Sequence, residues 1–355
     1  MSPAIAPTRR VRIGLGIGLI LLIALSTYRL YWAPPAGNYI VFSGMSMGTT
    51  WEVKVADPAL DPAEMRRITS AVEDSLEEVV SLMSTWEVDS EISRFNASRS
   101  TEPFPISKAT MEVLKVAEFV SLRSDGAFDI TVGPLVEAWG FGSRGAEEQA
   151  PSERSLQALL SDVGYRLLVL DAAEKKLRKT RPAVEVDLSA IAKGYGVDRI
   201  AEALDGLGHH EYLVELGGEL RARGQRLDGN PWRVAIEKPS EDLRRIHQVL
   251  ELKNRAMATS GDYRNYYELD GRRISHTLDP RSGRPLDHSL ASVSVLHERA
   301  VLADAWATAL NVLGENAGYT LAIEEGLAAY FITRSAPGKF ESRSTPSFAA
   351  HLAER

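Results

Sequence analysis

Asp304 and Thr308, in "VLADAWATALNVLG", stand four residues apart, which puts both side chains on one face of a helix. A carboxylate beside a hydroxyl is an all-oxygen pair of the kind a hard cation such as Mg²⁺ accepts. The plainer alternative is that Thr308 bonds back to its own helix while Asp304 favours the helix start by its charge. In "VEVDLSAIAKGYGVDRIAEAL" a strand ends at Val186, Asp187 stands at a helix N-cap, and Lys193, Gly194 and Gly196 follow. An open helix start beside glycines lets a ligand approach backbone groups closely, although an ordinary cap worth roughly 1 kcal/mol reads the same way. His276, in "RRISHTLDPRSGRPLDH", stands between a strand-like segment and a turn that Leu278, Asp279 and Pro280 open and Gly283 and Pro285 close. Such punctuation pins the ring and presents it to something, unless it only bonds the nearby backbone. Trp86, near Asp89 and Asn96, is placed to stack on a planar ring, and Phe128 and Asp129 follow a glycine turn in "DGAFDITVGP"; aromatics at such places also serve as core. Gly217–Gly218 between two strands marks a bulge or a close approach to a ligand.

These residues need elements to hold them. From Pro62 to Met83 the residues Met65, Ile68, Val72, Leu76, Val79 and Met83 recur at helical spacing and predict an amphipathic helix whose stripe is core. Ser107 caps a helix to Leu122, and Asp89 or Ser90 caps a short helical turn. Alternation around Trp51, Val53 and Val55 reads strand, turn, strand. "DGAFDITVGPL" reads as a turn, a short strand and a break, and strands at Leu167–Leu170 and Val184–Val186 flank the charged turn "DAAEKKLRK". The helix after Asp187 runs to about Leu204. Strands follow in "EYLVELGG", "ELRARG", "WRVAIEKP", "HQVLELKN" and "ASVSVLH", then helices at Ala300–Leu313 and Gly314–Glu325, then "AAYFITR". Residues 142–154 read as a loop, and residues 336–355 as a loose polar tail. Strands in consecutive runs with helices packed on them give an α+β class with mixed, largely antiparallel sheets.

The 355 residues are 44% hydrophobic and 25% charged, ordinary for a globular protein with a substantial core. A net charge of −7 leaves no basic surplus and argues against nucleic acid as a partner. The absence of cysteine excludes disulfides, thiolate metal sites and cysteine nucleophiles. Any metal must then be held by oxygen or imidazole, and oxygen favours Mg²⁺ or Ca²⁺. The N-terminus differs from everything after it: residues 1–12 end in "PTRRVR", residues 13–32 open with "IGLGIGLILLIALSTY", and 33–38 form the linker "APPAGN". A basic flank before an apolar run is the pattern of a signal anchor or signal peptide. The anchor is preferred because no small-x-small cleavage site follows. Arg9, Arg10 and Arg12 then stay in the cytoplasm, and residues 39–335 form one domain facing the periplasm from a bacterial inner membrane.

Taken in order, "MGTTW", "MSTWEVDSEISRFN", "DGAFDITVGPLVEAWGFG", "VDLSAIAKGYGVD", "LVELGGELRARG", "ATSGDYRNYYELDGRRISHTLDPRSGRPL" and "ADAWATALNVLG" closely resemble the FAD:protein FMN transferase family, also called the ApbE family, over residues 40–335. The resemblance implies an enzyme that cleaves the pyrophosphate of FAD, moves the FMN half onto a Thr or Ser hydroxyl of a partner protein and releases AMP. The implied partners are exported flavin-bearing subunits of sodium-pumping quinone reductases and Rnf-type complexes. A divalent ion, Mg²⁺ or Ca²⁺, would bridge the pyrophosphate oxygens. Carried over position by position, its ligands fall on Asp304, Thr308 and the backbone carbonyl of Ala190. The FAD contacts fall on Met47, Trp86, Ala127, Phe128, Asp129, Asp187 and Lys193, while Ser275, Thr277 and Leu278 brace the flavin or phosphate. His276 becomes the general base, since a Thr hydroxyl is a weak nucleophile and an imidazole of pKa ~6.5 takes its proton near neutrality.

Three positions depart from the family's pattern: Ala307 where many relatives carry a second Asp, Lys193 where some carry Glu, and Trp86 where Tyr is frequent. Two rival activities fit the same motifs. One is a metal-dependent FAD pyrophosphatase that uses water in place of a protein hydroxyl. The other is a non-catalytic FAD-binding protein, against which Asp304, Thr308 and His276 together argue, because binding alone requires no base.

Overall fold

Eight strands form the main sheet, and their order in space is their order in the chain. They are β1 (Ile40–Ser46), β2 (Thr49–Val55), β3 (Tyr212–Leu216), β4 (Glu219–Arg223), β5 (Arg255–Gly261), β6 (Leu290–His297), β7 (Ala328–Ala336) and β8 (Lys339–Ser344). Every neighbouring pair is antiparallel. The structure is a computed structural model that describes residues 39–144, 150–239, 245–262, 266–269, 272–336 and 338–352. The expected basic flank, apolar segment and linker, residues 1–38, lie outside the described residues. Among those described, no helix is long and apolar enough to cross a membrane.

The sheet is a meander with insertions, and the helices fill them. Between β2 and β3 come α1 (Pro62–Met83), α2 (Glu91–Ala97), α3 (Lys108–Arg123), α4 (Gly133–Ala138), α5 (Glu153–Leu160) and α6 (Ala192–Gly206). Helix α7 (Ala300–Glu324) joins β6 to β7, and α8 (Pro346–Ala349) follows β8. The α1 start is fixed by Asp61, whose Oδ1 accepts the amides of Ala63 and Glu64 at 2.7 and 2.8 Å. Ser90 and Ser107 cap α2 and α3, as their types and places predict.

Alternation along the strands sets the layers. Tyr212, Val214 and Leu216 of β3 face the helices, where α1 (Ile68, Val72, Leu76) packs on α6 (Val197, Ile200, Leu204). The adjoining core joins α3 and α7 through Val113, Val120, Trp306 and Leu310. Leu213 points the other way, under the hairpin of Trp232–Glu237 and Ile246–Leu252 and under Phe348 of α8. The α+β class and the antiparallel sheet stand as expected.

Several local expectations do not. "DITVGPL" holds no strand: Asp129 Oδ1 accepts from the Thr131 amide and hydroxyl, closing a turn, and Pro134 then opens α4. Val184–Val186 joins no sheet. The Asn96 side chain pairs with it as a neighbouring strand would, Nδ2 donating to the Val186 carbonyl and Oδ1 accepting its amide. The strand lies instead in Lys176–Lys179, inside the stretch read as a turn, where it pairs with Leu168–Asp171. Asp187 does not cap a helix; α6 starts five residues later, and Asp187 Oδ1 accepts the Ser189 amide in an Asx turn. Of the loop expected at 142–154, residues 145–149 lie outside the described residues and Ser152 caps α5. The central strand β5, "RAMATSG", went unread because its small residues show little alternation. Of the tail expected at 336–355, the described residues 336 and 338–352 are not loose: β8 pairs with β7, and Thr345 ties the turn to Leu327 and Ala329. Helix α7 breaks at Gly314 (φ 78, ψ −177), where one helix was expected to end and the next to begin.

Candidate active site

The crossing of α6 and α7 builds one wall. A Cβ on Gly194 would stand 2.4 Å from the Ala300 carbonyl oxygen and 2.7 Å from the Asp304 Cβ, so only glycine allows this approach. The Gly194 amide then donates to Asp304 Oδ2 at 2.9 Å. One turn further along α6, the buried Asp198 accepts the amides of Ala300 and Val301 at 2.9 and 3.1 Å and pairs with Arg221. Helix α7 has no side-chain cap of its own; Asp198 caps it from α6. The start of α7 is thereby fixed, and Asp304, in its next turn, is fixed with it.

Asp304 is 3% exposed, and its charge has competition. Lys193 Nζ lies 2.7 Å from Glu219 Oε2, and the Glu219 side chain is 4% exposed. Glu219 reaches Lys193 because the turn before it, Gly217 (φ 61) and Gly218 (φ 106), takes a left-handed backbone. A Cβ on Gly217 would meet Thr49 at 2.8 Å and the Lys193 stem at 3.2 Å. Burial pushes the Asp304 pKa up to about 7, against the pull of the Lys193 ammonium, with the Glu219 carboxylate adding to the rise. Burial also raises Glu219, and Lys193 draws it back. Burial works against the Lys193 ammonium, yet Glu219, Asp304 and Glu215 together hold its pKa above the ordinary value. Two buried carboxylates thus share one ammonium, whose own side chain is 30% exposed and lines the cleft.

Thr308 does not settle on its own helix; its hydroxyl lies 3.2 Å from the Ser260 hydroxyl of β5. Ala190 sits in the turn that leads into α6. Among the described residues, no group of three or more His, Cys, Asp or Glu side chains is placed to hold a metal ion. An ion at Asp304 would draw on hydroxyl, main-chain and water oxygens. That donor set, with a buried carboxylate short of counter-charge, suits a hard divalent cation.

A second wall carries His276. It follows the hairpin Tyr266–Leu269 and Arg272–Ser275 and precedes the pairing of Leu278–Asp279 with Arg284–Pro285. Its half-buried ring meets Phe141 edge-on at 6.3 Å. Beneath it lies a satellite cluster of Leu135, Trp139, Leu156 and Leu278, tied down by Trp139 Nε1 donating to the Gly283 carbonyl at 2.8 Å. The Asp279 carboxylate accepts from the Arg281 amide and guanidinium at 2.8–2.9 Å, so it builds the turn.

Between the walls runs a cleft of about 1880 Å³. Asp304, Thr308, Ala190, Lys193, His276, Thr277 and Leu278 line it, as do Trp86, Ala127, Phe128, Asp129 and Asp187. Trp86 is 70% exposed, a free aromatic face at the mouth. Met47 does not line the cleft. At φ 52 it turns inward between β1 and β2 and packs against the two main clusters. Asp129 lines it with a carboxylate already occupied by Thr131 and by the Tyr165 amide at 2.6 Å; burial raises its pKa. Sequence reasoning missed Glu219, Ser260 and Asp198. A Glu directly after a Gly-Gly turn was the one available signal for the first; the other two become visible only when α6, α7 and β5 pack.

The ApbE family model matches residues 47–331. An FAD:protein FMN transferase of Vibrio cholerae serotype O1 is 42% identical over 313 residues, 88% of this chain and 92% of that one. The protein of the same name from Escherichia coli strain K12 is 38% identical over 319 residues, 89% of this chain and 90% of that one. Among solved structures, the flavin transferase ApbE from Vibrio cholerae superimposes with a TM-score of 0.81 at 40% identity, covering 89% of this chain and 99% of that one.

Proposed function

The chain belongs to the ApbE family, and on that premise we propose that it is an FAD:protein FMN transferase that moves FMN from FAD onto a Thr or Ser hydroxyl and releases AMP. The observation that carries this reading is the presence of His276 on the same cleft as the buried carboxylates Asp304 and Glu219 and the half-buried Lys193. A protein that only binds FAD needs charge to meet the pyrophosphate, but it needs no proton acceptor on the same cleft.

In the reaction, the acceptor's hydroxyl oxygen attacks the phosphorus on the FMN side of the pyrophosphate. The bond from that phosphorus to the bridging oxygen breaks, AMP leaves with the oxygen, and the hydroxyl proton passes to His276. One phosphorus–oxygen bond forms and one breaks, so the acceptor gains FMN less water. Lys193 offers its ammonium to the pyrophosphate, and Trp86 offers a face for the isoalloxazine or adenine ring. Asp304, Thr308 and the Ala190 carbonyl would hold Mg²⁺, which when bound neutralises charge on the phosphate oxygens. The Lys193–Glu219 pairing answers the family departure at Lys193, because the added positive charge has its own counter-charge 2.7 Å away. Residues 13–32 support an anchor in the inner membrane with the catalytic domain in the periplasm. The family resemblance implies exported acceptors of sodium-pumping quinone reductases or Rnf-type complexes, which that placement would bring within reach.

The test is intact mass. The full-length chain in detergent, with FAD, Mg²⁺ and the purified exported acceptor domain of a sodium-pumping quinone reductase, should add FMN less water to the acceptor. Free FMN and AMP beside an unlabelled acceptor would make the protein a pyrophosphatase instead.

A further inference from the structure

The main sheet has two edges, built to opposite rules. β8 carries Lys339, Glu341 and Arg343 at alternate positions, a usual guard against pairing with another chain. β1, at the other edge, reads "IVFSGMS", without charge or proline, and among the described residues it pairs only with β2. Its outward row is Val41, 49% exposed, then Ser43, then Met45, 79% exposed, while Phe42 between them is buried. Val88, 80% exposed, also lines the cleft. An unguarded apolar edge invites strand pairing. This one runs into the reaction cleft: Ser43, Gly44, Met45 and Val88 line the cavity that holds Asp304 and His276, and no residue of β8 does. The cavity, about 1880 Å³, is roughly twice the upper end of pockets that hold one small molecule.

We propose that the free edge of β1 is the docking strand for the protein acceptor, whose extended hydroxyl-bearing segment pairs main chain to main chain with it. The inference rests on the transferase reading. A second substrate that is a polypeptide must meet the rim of the cleft, and of the two sheet edges only β1 borders it. Strand addition suits the edge's chemistry, since backbone groups give affinity while the alternating Val41, Ser43 and Met45 set which side chains fit.

The variant Val41→Lys/Met45→Lys places on β1 the kind of guard that β8 has. With the full-length chain in detergent, FAD, Mg²⁺ and the same acceptor domain, the acceptor KM is expected to rise about tenfold or more. FAD affinity, read by flavin fluorescence, should hold. Glu341→Lys, which adds a lysine to the β8 edge away from the cleft, should keep the wild-type acceptor KM; if the lysine pair does not fold, Met45→Lys alone should still raise it. An unchanged acceptor KM in folded lysine variants overturns the docking strand and leaves the transferase standing. If the wild type labels no acceptor, both readings fall together. A wild-type dimer that the lysine pair splits without changing the acceptor KM assigns the edge to a second copy and also overturns the proposal.

Discussion

The two walls of the cleft are held by different physics. On the α6–α7 wall, Asp304 and Glu219 lie almost wholly buried around one ammonium, and main-chain contacts at Gly194 and Asp198 leave the helices no room to slide. On the second wall, His276 is half-buried and stands on a turn, over a satellite cluster separate from the main core. The first wall fixes charge on two buried carboxylates before any ligand arrives, and charge held in place in advance is what preorganised electrostatics require. The second presents a proton acceptor whose surroundings belong to a hairpin and a turn. Damage to the first wall should therefore cost binding and turnover together, and damage to the second should cost turnover alone.

The largest effect is expected from Asp304→Ala, which should lower acceptor labelling on the order of 10³-fold and abolish its dependence on Mg²⁺. Retained Mg²⁺ dependence would break the comparison by placing the ion elsewhere. His276→Ala should lower kcat about 10²-fold while the Kd for FAD stays near the wild-type value. A parallel loss of FAD affinity would mean that the second wall also binds and that the division is false. Gly194→Ala should destabilise the fold by about 1–3 kcal/mol in urea denaturation, because the new methyl meets a main-chain carbonyl that cannot yield. Unchanged stability would show that α6 and α7 have more freedom than the crossing implies.

The same contrast explains what was legible in the sequence. The His276 turn could be read because turn chemistry is local: Pro280, Gly283 and Pro285 carry their own conformational preferences. Asp304 and Thr308 could be paired because helical spacing is local as well. Glu219 and Asp198 could not be ranked. Each acts across the fold, on Lys193 and on the start of α7, and neither burial nor those partners leave a mark on neighbouring residues. Asp187 misled for a related reason. Its type and place fit an N-cap, but the chain makes an Asx turn first and starts α6 later, since the glycine that must meet α7 is Gly194. Met47 belonged to a motif of the family, yet the tight turn sends its side chain to the core. The unread β5 shows the limit of periodicity, because a central strand of small residues gives hydropathy little to alternate.

The smallest expected effect, a pH slope, tests the first wall most finely. Burial raises Asp304 from its ordinary 3.8 to about 7. A carboxyl raised on folding favours the protonated native state, so its contribution to stability is fullest below about 4 and is lost as pH rises through 7. The metal-free protein should therefore show a falling Tm from pH 5 to pH 8. Mg²⁺ binds only the ionised carboxylate, so its stabilising effect should grow across the same window. Asp304→Asn should remove both trends. Glu219→Gln should move their midpoint to lower pH, because the Glu219 carboxylate is one of the forces that raises Asp304. A Tm that is flat from pH 5 to 8 in the metal-free wild type would mean that Lys193 already balances Asp304. The wall would then hold two ionised carboxylates against one ammonium whatever the pH in that window, and its contrast with the His276 wall would rest on rigidity alone.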